Sequence, residues 1–209
     1  MIKIEPVFLS FLATEILDID TTEIEKYCYD LRTRESGREF SNRGGFQSRD
    51  LSAAEDSPLR TLLGVLDDRV NSLHASFMFK KSLRQKIDNL WVNINGNGDY
   101  NIPHVHPKAC FSGVFYVKAE SGCGDLYLRH PMPSIEHIIS EDRVERFNSF
   151  TSPSIRIAPE PRKLVIFPSW ILHYVDANRR DTDRISIAFN TMFESQDRGG
   201  GLRFSPAQG

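Results

Sequence analysis

The sequence predicts an α+β chain, mainly β, with helices first and an antiparallel sandwich or barrel after them. Two observations carry this. Up to about residue 85 the readable apolar period is helical, and beyond it short apolar runs alternate with turn residues. A third, the length of 209 residues, is that of one domain able to bury a sizeable core. The whole of 1–209 is therefore read as a single domain, with a helical portion over 1–85 packed on a β portion over 86–195 that holds the core.

Taken in order, Thr22 and Glu25 form a T-x-x-E capping-box pattern, followed by Ile24, Tyr27, Cys28 and Leu31 on one helical face. A second helix is expected with Ser57 as its cap and Pro58 at its first position, buried through Leu59, Leu62, Leu63, Leu66, Val70 and Leu73. The intervening GREFSNRGGFQSRDLS has no helical period and reads as a loop. Strands are expected at LWVNI (90–94), FSGVFYV (111–117), GDLYL (124–128), SIRI (154–157), KLVIF (163–167) and RISIAFN (184–190). Residues 129–153 form one long connection, read either as a mobile lid at a site mouth or as a solvated excursion with a short helix.

Composition narrows the function. Lys and Arg number 26 against 28 Asp and Glu, a net charge of −2 with pI ≈ 6.3, which gives no electrostatic reason to expect nucleic acid. No apolar run has the length of a membrane span, and the N-terminus, with its early acids, does not read as a secretory signal. Three cysteines without C-x-x-C spacing (Cys28, Cys110, Cys123) are expected as free thiols in a reducing cytoplasm.

The chemistry concentrates at three places. His104 and His106 stand two apart in an extended segment ended by Pro107, so both imidazoles face one side. Chance alone yields about 0.17 such pairs in a chain of this histidine content, so the pair is a weak signal by itself. His173 closes FPSWILH at the start of a strand, a third candidate ligand far along the chain. Arg184 and Ser186 share a strand face opposite Ile185 and Ile187. An inward Arg is costly unless paired, and its natural partner is a carboxylate, from a ligand or from the protein.

H-x-H, then SGVFYV, G-x-G-D-L, FPSWxxH and RISIxFN together resemble the 2-oxoglutarate/Fe(II)-dependent dioxygenases. The resemblance is closest to a bacterial and phage group related to prolyl hydroxylases, and SNRGGFQS resembles that group's GGWQS motif with Phe46 for Trp. It implies a double-stranded β-helix (a jelly roll) with the N-terminal helices outside it. The implied cofactors are Fe(II), 2-oxoglutarate as co-substrate and O₂. The implied reaction is hydroxylation of a small-molecule or peptide substrate, with release of succinate and CO₂. By position, His104 and His173 are implied as metal ligands. Arg184, Ser186 and Tyr116 are implied to hold the far carboxylate of 2-oxoglutarate, with Ser112 on the same strand face lining the pocket; Asn93, on one face with Trp91 and Asn95, is read either as meeting the near carboxylate or keto group of 2-oxoglutarate or as a polar edge of the barrel. The sequence departs from the pattern at one point. The usual middle ligand is a carboxylate, whereas here it is His106, which strand alternation makes the third ligand.

Two other readings stay open at this point. One is an inert β-helix that binds metal or 2-oxoglutarate as a sensor. The other is a three-histidine metalloenzyme without an oxo-acid, against which Arg184 and Ser186 argue. Trp170 is expected to pack and fix the turn before His173.

Overall fold

The computed structural model describes residues 3, 10–52 and 57–196. The N-terminal stretch read as non-secretory, residues 1–20, lies partly outside them. The elements are β1 (Ala13–Ile16), α1 (Thr22–Arg34), β2 (Asn42–Arg43), β3 (Phe46–Gln47), α2 (Leu59–Ser76), β4 (Leu83–Asn95), β5 (Tyr100–His104), β6 (Phe111–Lys118), β7 (Leu126–Arg129), α3 (Ile135–Ile138), β8 (Ser154–Ile157), β9 (Lys163–Pro168), β10 (His173–Val175) and β11 (Arg184–Ser195). They build two antiparallel sheets, β1-β9-β6-β11-β4-β3 and β2-β5-β10-β7-β8. This is the mainly β, jelly-roll α+β architecture expected.

β11 organises the larger sheet because both its faces are apolar or specifically polar. Its odd residues Ile185, Ile187 and Phe189 stand beside Ile94, Val92 and Leu90 of β4, forming the face on which the helices pack. Leu59, Leu62, Leu66 and Val70 of α2 and Ile24, Cys28 and Leu31 of α1 complete that core. Truncating any of the buried leucines there costs about 2–5 kcal/mol. Gly113, the glycine of SGVFYV, is required by the same packing, since a Cβ on it would lie 2.2 Å from the Phe189 ring. A second apolar cluster, including Leu126, Leu128, Val165, Phe167 and Ile171, fills the space between the sheets.

Both helices occur where expected, but their ends differ. The Thr22–Glu25 capping box does not form. Asp20 Oδ1 instead accepts the Thr22 N–H at 3.0 Å and its hydroxyl at 2.7 Å, and Glu25 is drawn away to Lys118 Nζ at 2.8 Å. α2 begins at Leu59, one residue late, with Ser57 Oγ accepting the Leu59 N–H at 3.3 Å.

The GGFQS segment is not a plain loop. β2 pairs with β5 in the smaller sheet, β3 pairs with β4 in the larger one, and Gly44–Gly45 carries the chain between them. Both glycines have positive φ (67° and 66°), and a Cβ on Gly44 would lie 1.9 Å from Asp99 Oδ1. Residues 129–153 carry α3 and a single 3₁₀ turn, and every residue there is exposed or half-buried.

Candidate metal centre and its two cavities

β10 brings the third histidine to the first. His173 is the register partner of His104 on β5, and their ring centroids are 4.2 Å apart. His106 reaches them differently from the expected strand alternation. β5 ends at His104, and the His106 N–H donates to Ser169 O at 3.0 Å, so the FPSW turn positions it. Its ring lies 4.9 Å from His104 and 5.0 Å from His173. One ring nitrogen from each residue lies within 4.8 Å of the others.

The donor chemistry fits a metal. His104 Nδ1 and His173 Nδ1 bond the carbonyls of Ile102 (2.7 Å) and Ile171 (2.8 Å), which fixes the rings and leaves Nε2 for an ion. Burial, with the neighbouring imidazoles adding, pulls His173 down to about 3 and His106 to about 4, and burial lowers His104. At neutral pH all three imidazoles are neutral, the form in which a ring nitrogen can take a metal. Among the described residues this is the one such group, and it holds no carboxylate.

Behind the histidines a narrow cavity of about 70 Å³ runs between the sheets. Arg184, Ser186, Tyr116, Ser112 and Asn93, the residues expected from the sequence, line it together with the three histidines. Their order follows the register. Arg184 stands beside Asn95, the next row is Asn93–Ser186–Tyr116, and the far row is Asn89–Asn190–Ser112. Ser112 is thus two rows from Tyr116, and its hydroxyl is engaged by Asn190 Oδ1 at 2.7 Å.

Arg184 is 2% exposed and has no carboxylate partner among the described residues. Its Nη1 donates to the carbonyls of Cys123 (2.8 Å) and Gly124 (2.9 Å). Burial pulls its pKa down, and Tyr116, Cys123, Asp99 and Asp125 act against that. Tyr116 is also fully enclosed, so burial pushes its hydroxyl up and keeps it a donor. Gly124 explains the G-x-G-D-L motif. It has φ +96°, and a Cβ there would lie 2.6 Å from Arg184 Nη1 and 2.2 Å from Asp176 O. Asn93 Oδ1 is buried without a partner.

A second cavity of about 480 Å³ opens on the other side of the histidines and shares Ser41, Trp91, His104 and His106 with the first. Its wall is the segment around β2 and β3, with Arg38, Phe40, Gln47, Ser48 and Asp50, and its floor includes Asn89 and Asn190. Sequence pattern does not disclose this wall, although the GGFQS motif lies within it. Nor does it single out Asn89, which continues the Trp91–Asn93–Asn95 alternation one step back. Trp170 is 53% exposed, so it does not fix the turn by packing; the Ser169 contacts do. Residues 129–153 line neither cavity.

Residues 89–190 match the family described as "Putative 2OG-Fe(II) oxygenase". Among curated proteins none matches the chain in sequence. Solved structures share the fold. A Pseudomonas putida prolyl-4-hydroxylase is 14% identical, over 86% of this chain and 91% of that one, with a TM-score of 0.59. The epimerase SnoN of nogalamycin biosynthesis, solved with Fe3+, alpha ketoglutarate and nogalamycin RO, is 13% identical over 94% and 88%, with a TM-score of 0.64. HygX from Streptomyces hygroscopicus, solved with nickel and 2-oxoglutarate, is 13% identical over 90% and 84%, with a TM-score of 0.58.

Proposed function

We propose that this chain, a 2-oxoglutarate- and Fe(II)-dependent oxygenase by the family that its residues 89–190 match, hydroxylates an organic substrate held in the outer cavity while 2-oxoglutarate occupies the inner one. One observation carries this most. A guanidinium, Arg184, is buried in the inner cavity without a carboxylate partner among the described residues, in a cavity also lined by three convergent histidines. A charge so placed is costly unless a ligand completes it, and a dicarboxylate that also reaches the metal completes it.

In this reading His104, His106 and His173 hold the ion. Fe(II) there supplies the O₂-dependent decarboxylation of 2-oxoglutarate to succinate and CO₂, coupled to oxidation of a substrate C–H bond. The protein's contribution is placement. Arg184 offers its remaining N–H groups to the far carboxylate of 2-oxoglutarate, and the Tyr116 and Ser186 hydroxyls donate beside it. The carbonyls of Cys123 and Gly124 prevent the guanidinium from swinging away. The apolar walls Leu126, Val114 and Phe167 exclude water around the clamp. The substrate's reacting carbon then enters from the outer cavity, past Trp91. No helix of the described residues is long and apolar enough to cross a membrane, and the three free cysteines agree with a reducing compartment.

The test is turnover of 2-oxoglutarate by Fe(II)-loaded protein with ascorbate in air. Succinate formed in a metal- and O₂-dependent way supports the oxygenase. If metal and 2-oxoglutarate both bind but no succinate forms with any substrate tried, the sensor reading takes its place.

A further inference from the structure

We propose that the outer cavity takes a small-molecule carboxylic acid, its carboxylate on Arg38 and its apolar body across Trp91; this deepens, and rests on, the reading of the site above. At about 480 Å³ the cavity is in the range of small-ligand sites. It shares His104 and His106 with the inner cavity, so its occupant borders the metal position.

Among the described residues two charged side chains line it, Arg38 and Asp50, and their situations differ. Asp50 is engaged, since its Oδ1 accepts the Leu90 N–H at 3.0 Å and the Ser52 N–H at 2.9 Å, tying the wall to β4. Arg38 is the reverse. Its backbone is pinned, the N–H donating to Gln47 O at 2.8 Å and the carbonyl accepting from Asn42 Nδ2 at 3.2 Å. Its guanidinium meets no hydrogen-bond or ion-pair partner among the described residues. A fixed backbone thus presents a free cation to the cavity.

The floor points the same way. The Ser112 hydroxyl donates to Asn190 Oδ1, and Asn190 Nδ2 donates to Asn89 Oδ1 at 3.0 Å, which leaves Asn89 Nδ2 as the unspent end of the ladder. That end is a donor and calls for an acceptor on the ligand. The metal set permits an anion nearby. Three neutral imidazoles, a divalent ion and doubly charged 2-oxoglutarate sum to zero, one unit less negative than a site with a carboxylate ligand. The rings of Trp91 and Phe40 line the same cavity and supply apolar surface, Trp91 lying 5.8 Å from the His106 ring.

The experiment is calorimetric titration of Mn(II)-loaded, 2-oxoglutarate-saturated protein, without O₂, with 3-phenylpropionate and with its neutral counterpart 3-phenylpropan-1-ol. The acid is expected to bind about tenfold more tightly or better, the worth of a charge-assisted hydrogen bond. Arg38→Gln should bring the two within threefold, and Arg38→Lys should keep much of the preference. Thermal melts check that the exposed substitutions leave the fold intact. Equal binding by the wild type overturns the proposal, as does a preference that survives Arg38→Gln, or an acid that displaces 2-oxoglutarate. Failure of 2-oxoglutarate itself to bind counts against the inner-cavity reading, while the acid-to-alcohol ratio on the same protein still decides on Arg38.

Discussion

His173 faces His104 directly across two neighbouring antiparallel strands, their rings 4.2 Å apart. Two residues 69 positions apart are thereby fixed by sheet register rather than by loop conformation. Only His106 depends on a turn, which it meets through Ser169. The sheet register thus fixes two of the three rings, and the turn at Ser169 fixes the third.

Removing the clamp should be costly. Truncating one partner of a buried charge pair loses on the order of 2–5 kcal/mol, so Arg184→Gln should weaken 2-oxoglutarate binding to metal-loaded protein by roughly 30-fold or more. A dissociation constant within threefold of wild type would take Arg184 out of the role.

Gly124 should matter through Arg184. An added methyl collides with Nη1 at a backbone angle that side chains avoid. Gly124→Ala should weaken 2-oxoglutarate about tenfold, or some 1.4 kcal/mol, and narrow by the same factor its advantage over 2-oxobutyrate, which lacks the far carboxylate. Metal affinity should stay. Equal losses for both oxo-acids would mean general damage instead.

His106→Ala should lower metal affinity by more than the roughly 10–100-fold that loss of a merely orienting partner costs. Competition with a chromogenic chelator measures it. Unchanged affinity would leave a two-histidine centre.

The metal-free protein should lose stability in acid. His106 and His173 have folded values of about 4 and about 3, below the 6.5 of an unfolded imidazole. Between those limits the unfolded chain takes up protons that the folded chain refuses, so stability falls as pH drops below 6.5. At pH 5.5 each contributes a loss on the order of 1 kcal/mol relative to pH 7.5. Urea melts of wild type and His106→Phe at both pH values should show the variant's pH dependence smaller by about that amount. Identical dependence would show that His106 titrates normally in the fold.

Much of this is legible in the sequence, for physical reasons. All six expected strands form, because each run carries alternation or a fully apolar face that only a sheet can bury. The cavity residues Arg184, Ser186 and Asn93 are readable because polar side chains at two-residue spacing among Ile and Val must share a face, whereas Tyr116 is reached only through the family resemblance. β10, with only three residues, and β5, interrupted by Pro103, are too short for periodicity to reveal. β2 and β3 hold two residues each, too few for periodicity, and the close approach of Asp99 to Gly44 between them is a long-range fact no local pattern records. The expected capping box fails because Asp20 and Lys118 compete for its members.

The Gly44–Gly45 crossing couples two things that change independently in many binding proteins. The segment that lines the larger cavity also joins the two sheets at that end. A lineage altering its substrate could vary Arg38, Phe40 or Gln47 side chains, but could not lengthen or shorten this segment without releasing the layers. Insertions would accumulate instead in 129–153, which borders neither cavity. Relatives of this chain should therefore differ in length there and in letters, not length, around the two glycines.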